Sequence, residues 1–133
     1  MIHIPKRVIL VIEDELPLME AIKARLEKNN YEVLTARSVE QAFNHLRDVP
    51  NIDLIWLDHY LLGKENGLDF LAKCKAESGR CSELPIFVVS NTASEENLQT
   101  YMHLGATKYY VKSDKRLDGI IEDITHTLAN PIP

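Results

Sequence analysis

The chain has 133 residues, 45% of them hydrophobic and 26% charged, with 15 Lys and Arg against 20 Asp and Glu for a formal net charge of −5. This is the size of one ordinary domain, able to bury about two-thirds of its unfolded surface. The acidic balance without a Lys/Arg cluster excludes direct nucleic-acid binding, which rests on phosphate neutralisation. No apolar run approaches the roughly 20 residues that span a bilayer, and no secretory signal opens the chain, so the cytoplasm is the expected location.

In chain order, the run Val8-Ile9-Leu10-Val11-Ile12 reads as a strand covered on both faces. Met19, Ile22 and Leu26 then recur at helical spacing, with Pro17 suited to the first turn. Tyr31 to Thr35 is a weaker strand. Ser38 with Gln41 forms a capping box for a helix whose stripe is Val39, Ala42, Phe43 and Leu46. Leu54-Ile55-Trp56-Leu57 predicts a third strand, with Trp56 packing under a helix, and Leu68 and Leu71 mark the helix after it. Ile86-Phe87-Val88-Val89 predicts a fourth strand. Ser94 before Glu95 and Glu96 starts a helix with the stripe Leu98 and Met102, which Gly105 stops. Lys108 to Val111 is a fifth strand, and Leu117, Ile121, Ile124 and Leu128 form the last stripe.

The strand–helix pair thus recurs five times, which predicts an α/β doubly wound (βα)5 sandwich with a parallel sheet and right-handed crossovers. Five strands fit the order 2-1-3-4-5. One domain over 5–128 and a frayed tail over 129–133 are expected, without an output domain. Cys74 and Cys81 are too few for a disulfide framework and match no common zinc or redox spacing, so they are read as structural or incidental.

In such sheets the binding crevice lies beyond the strands' carboxyl ends, where the strand order reverses. Strand 1 ends in Glu13-Asp14-Glu15, strand 3 in Asp58, strand 4 in Ser90 and strand 5 in Lys112. Gathered carboxylates repel unless a cation or a proton offsets them, and an all-oxygen set with few carboxylates favours a Mg²⁺ that keeps several waters. With a hydroxyl and an ammonium opposite, these are parts for phosphoryl transfer onto an aspartate. Glu15 is expected only to favour the first helix through its dipole. His59 is expected to be a solvent-facing loop residue, because alternation turns it away from its neighbour.

The series Glu13-Asp14, Asp58, Ser90 and Lys112, each at a strand end, resembles the receiver domain of bacterial response regulators over essentially residues 5 to 128. The resemblance implies Asp58 as phosphoacceptor, Asp14 as direct Mg²⁺ ligand, Glu13 acting on the metal through water and the Tyr60 backbone carbonyl as a further ligand. It implies Ser90 as switch hydroxyl, Lys112 as phosphate contact and Tyr109 as the aromatic that moves inward. It further implies a histidine kinase or phosphotransfer protein as donor, and an altered face on the fourth long helix, fifth strand and last helix. That face would serve a downstream protein, a tethered output domain or a phosphorylation-dependent dimer.

The chain departs from the commonest family pattern in places. Glu13 stands for Asp, and the loop after Asp58 lacks a proline and is one residue longer. Asn91 replaces a small residue, and Ser113 follows Lys112 where proline is usual, so no cis peptide is expected there. Rival functions fit less well. An aspartyl-phosphate hydrolase wants a second aspartate where Tyr60 stands, and a flavin phosphate would be repelled by Glu13-Asp14-Glu15. A docking module working without phosphorylation is the remaining alternative.

Overall fold

The structure, a computed structural model, describes residues 5–76, 80–91 and 94–129. Among them the order is β1 (Val8–Ile12), α1 (Leu16–Lys28), β2 (Glu32–Ala36), α2 (Val39–Asp48), β3 (Ile52–Leu57), α3 (Gly67–Ala76), α4 (Arg80–Glu83), β4 (Ile86–Ser90), α5 (Glu95–His103), β5 (Lys108–Val111) and α6 (Leu117–Ala129). The strands form one parallel sheet in the order β2-β1-β3-β4-β5, as the alternating pattern requires. The short α4 adds a turn that the five-fold pattern does not contain. Of the expected tail, Ala129 closes α6 and the rest lies outside the described residues.

Alternation along each strand divides two cores. Val8, Leu10, Ile12, Ile55, Leu57, Ile86 and Val88 meet Val39 and Ala42 of α2, Phe70 and Leu71 of α3, and Tyr101 of α5. Ile9, Val11, Leu54, Trp56, Phe87 and Val89 meet Met19, Ile22 and Leu26 of α1, with Ile120, Ile121 and Ile124 of α6. Trp56 packs under α1 and α6 as expected, fully buried, and its Nε1 makes no hydrogen bond among the described residues. The β1/β3 register shifts between Val8 and Ile9. There the Asp53 carboxylate accepts from the Val8 amide at 2.8 Å, supplying the acceptor where the ladder slips.

The helix signals act with small differences. Ser38 and Ser94 accept from the amides of Gln41 and Asn97. The Gln41 side chain returns to the Arg37 amide at 2.8 Å, one residue before the cap. Gly105, at φ +102°, ends α5: its own amide donates to the Met102 carbonyl, and that of Ala106 to the Tyr101 carbonyl.

The stripe assigned to α5 needs correction. Leu98 and Met102 are exposed, whereas Tyr101, fully buried, is the residue that α5 turns inward. A phenol enters this core because its hydroxyl finds a buried partner there. The cysteines also do more than their spacing announced: Cys74, in the core face of α3, is disulfide-bonded to Cys81 of α4, with Cα atoms 5.5 Å apart. Lys75 reinforces this junction by donating to the Ser82 carbonyl at 2.8 Å.

Candidate functional site

Backbone bonds just past the strand ends fix where each polar side chain starts. The amide of Glu13 donates to Ala36, that of Asp58 to Ile12 and that of Lys112 to Ser90, at 2.8–2.9 Å. Each bond extends the ladder by one residue, so Glu13, Asp58, Ser90 and Lys112 lie along one edge of the sheet. A bridge between Ser38 and Leu62, with the Leu62 amide donating to Arg37, ties down the far side of the lengthened loop.

Glu13 and Asp58 are buried, 1% and 5% exposed. Lys112 Nζ lies between them, 2.9 Å from Glu13 Oε1 and 3.5 Å from Asp58 Oδ2. One largely buried ammonium thus faces two buried carboxylates. The remaining oxygens are met by backbone: the His59 amide donates to Asp58 Oδ1 at 2.8 Å, and the Glu15 amide to Glu13 Oε2 at 3.1 Å. Burial, and then the Glu13 charge, push the Asp58 carboxyl up to about 7, against the pull of Lys112. A proton or a further cation is what this pair lacks.

Asp14 lies alongside but engages elsewhere. Arg37 Nε donates to the Asp14 carbonyl at 3.1 Å, and its Nη2 reaches Asp14 Oδ1 at 3.4 Å. Among the described residues no three Asp, Glu, His or Cys side chains converge on one point as a ready cage. The donor chemistry nonetheless fits Mg²⁺, since it is all oxygen and anionic in excess of its cations, and Mg²⁺ needs only a few protein ligands. Tyr60 turns its side chain to solvent, 61% exposed.

Ser90 is fully buried at the end of β4, and the Tyr109 phenol hydrogen-bonds with it. Burial raises the Tyr109 phenol above its ordinary range. Tyr110 points to the opposite face, where its hydroxyl donates to Asp123 at 2.5 Å. Of the two adjacent tyrosines, Tyr109 is therefore the one beside Ser90. Asn91 is exposed.

His59 reverses its expected orientation. It is 7% exposed, and its Nδ1 lies 2.7 Å from the Tyr101 hydroxyl, with the two rings edge to face. Strand alternation does not apply, because β3 ends at Leu57 and the chain is already turning. Burial lowers the His59 imidazole below its ordinary range, against the opposite pull of Asp69. Arg37 and Tyr101 also escaped the sequence reading: one looks like a surface cation after β2, the other like an ordinary helix aromatic. The available signal was the polar His59 next to Asp58.

This edge, with a buried strand-end aspartate flanked by a carboxylate, a lysine and a serine on a 2-1-3-4-5 sheet, defines a receiver-type domain. The profile of the response regulator receiver domain matches residues 9–122, and the chain belongs to that family. It is 34% identical over 125 residues to the phosphate regulon transcriptional regulatory protein PhoB of Escherichia coli K12, covering 92% of this chain and 53% of that protein. The chain thus spans about half the length of the curated relatives it matches. Among solved structures it is similar to the non-phosphorylated HemR receiver domain of Leptospira biflexa, with a TM-score of 0.82 at 26% identity over 96% of this chain and 98% of the other. It also resembles the Mn²⁺-bound form of the response regulator Rcp1, with a TM-score of 0.79 at 22% identity over 96% and 97%.

Proposed function

We propose that the chain is a phosphorylation switch in which Asp58 accepts a phosphoryl group from the phosphohistidine of a histidine kinase or phosphotransfer protein. The observation that carries this reading is Lys112 Nζ set between two buried carboxylates at the carboxyl edge of the sheet. In the transfer, an Asp58 carboxylate oxygen forms the new P–O bond as the donor's P–N bond breaks. The electron pair leaves with the imidazole. Lys112 offsets charge on the transferred oxygens and Ser90 donates to one of them. Glu13, Asp14, Asp58 and the Tyr60 carbonyl would hold Mg²⁺, which supplies further positive charge there when bound.

Phosphorylation adds about −1.5 to −2 charges, enough to draw in Ser90 and Lys112 and to bias a two-state element. The responding face is α5, β5 and α6, where Tyr109 already meets Ser90. A downstream protein, a tethered output domain or a second copy would bind it. The domain acts as a signalling module in the cytoplasm, assisting only its own phosphorylation and dephosphorylation. Among the described residues no helix is long and apolar enough to cross a membrane.

The test is intact-mass analysis after incubation with acetyl phosphate. One phosphoryl group should add in the presence of Mg²⁺, and neither EDTA-treated protein nor Asp58→Asn should gain it. Absence of an adduct on folded wild type, with no response to beryllofluoride, would leave the phosphorylation-independent docking module as the function.

A further inference from the structure

The phosphoacceptor loop and α5 are joined by a buried contact that none of the roles above requires. His59 Nδ1 and the Tyr101 hydroxyl lie 2.7 Å apart, both residues are buried, and their ring centroids are 5.7 Å apart at 80°. His59 also holds the loop through its backbone. Its amide donates to Asp58 Oδ1, and its carbonyl accepts from the Gly67 amide at 2.8 Å.

Gly67 supplies an independent sign that the contact is built in. A Cβ at that position would collide with both the Tyr101 hydroxyl and the Asp58 carbonyl. The start of α3 is therefore cut back where the phenol approaches the nucleophile's own backbone. At its other edge the Tyr101 ring packs on Tyr109, with centroids 5.7 Å apart, and the Tyr109 phenol meets Ser90. Tyr101 thus touches both the residue that follows the phosphoacceptor and the aromatic beside the switch hydroxyl.

Resting on the phosphoacceptor reading, we propose that His59 and Tyr101 are a positioning pair that couples the Asp58 loop directly to helix α5, a second connection beside the one through Ser90 and Tyr109. A change in the Asp58 carboxylate shifts the His59 amide that donates to it. The imidazole, held by the phenol, passes that shift to α5. Coupling of this kind is reciprocal, so a partner seated on α5 changes how readily Asp58 is modified.

The test is made on the full chain by following backbone amide resonances during addition of beryllofluoride with Mg²⁺, in wild type, Tyr101→Phe, His59→Leu and His59→Asn. Tyr101→Phe keeps the ring and removes only the hydroxyl. His59→Asn keeps a polar atom near the Nδ1 position, whereas His59→Leu does not. In wild type, resonances should shift both at the site and along Glu95–His103. In Tyr101→Phe and His59→Leu the α5 shifts should be clearly smaller than in wild type, the remainder being carried through Ser90 and Tyr109, while those at Ser90 and Lys112 persist. His59→Asn should restore most of the α5 response, which a merely structural role would not produce.

Full-sized α5 shifts in both disrupting variants, or site shifts in wild type with none on α5, would overturn the coupling and leave phosphorylation intact. Wild type silent at the site itself would instead remove the phosphoacceptor reading, and the coupling with it. If Tyr101→Phe fails to fold, the contrast between His59→Leu and His59→Asn decides the matter alone.

Discussion

Asp58 is held in a form that resists ionisation, and this has consequences for stability. Its carboxyl, pushed up to about 7, binds a proton more tightly folded than unfolded, where its ordinary value is 3.8. Between those values the folded state carries more protons, so without divalent ions this group makes stability fall as pH rises from about 4 to 7. Asp58→Asn removes the charge and keeps the shape. In EDTA at pH 8 the variant should therefore melt higher than wild type by roughly 3–6 °C, the shift about 1 kcal/mol produces in a domain of this size. The gap should narrow at pH 5. Thermal melts at both pH values check this, and a gap independent of pH would mean that the carboxylate is not the strained group. At the residue scale the sequence was partly legible. Glu13, Asp58, Ser90 and Lys112 stand at strand ends, and the sheet order alone brings them to one edge. The inward turn of His59 was not legible, because past Leu57 alternation no longer governs the chain and its partner Tyr101 is 42 residues away.

At the scale of elements, the five strands and five longer helices were readable from apolar runs and periodicity, since the central strands β1, β3 and β4 bury both faces, while the edge strands β2 and β5 are only partly covered and gave the weaker signal. Helix α4 was not, because Arg80–Glu83 is a single turn with no periodicity to show. Nor was the inward face of α5, where Leu98 and Met102 imitate a core stripe that Tyr101 supplies. The disulfide between α3 and α4 belongs to this scale too. Cysteine spacing does not report the distance that folding sets, and here the helices bring the Cα atoms to 5.5 Å. Closing so short a loop stabilises by about 2–3 kcal/mol on the chain-entropy account. Reduction should accordingly lower the melting temperature by several degrees, with an intact mass greater by two hydrogens. Cys81→Ser should melt with the reduced protein and no longer respond to reductant. Equal melting of oxidised and reduced wild type would show that packing of Cys74 in the core, rather than the bond, holds α4 in place.

For the molecule as a whole, the balance of charge sets how the site meets a cation. The chain carries a net −5, and its acidic edge is screened locally by Lys112 on Glu13 and Asp58 and by Arg37 on Asp14. At the proposed metal site Mg²⁺ would therefore gain from the long-range field but compete with two fixed cations. Salt weakens the first effect, since the Debye length falls from about 30 Å at 0.01 M to about 10 Å at 0.1 M. Removing Arg37 relieves the second. Trp56, two residues before Asp58 on β3 and fully buried, is the chain's one tryptophan and an internal reporter. Its fluorescence, titrated with Mg²⁺, should give an apparent Kd that rises about two- to fivefold over that salt range. Arg37→Ala should bind Mg²⁺ more tightly than wild type by about threefold at low salt, because Asp14 no longer has to exchange one cation for another. Were Arg37→Ala to bind more weakly, Arg37 would be orienting Asp14 for the metal instead of competing with it, and the ion pair would belong to the site's assembly.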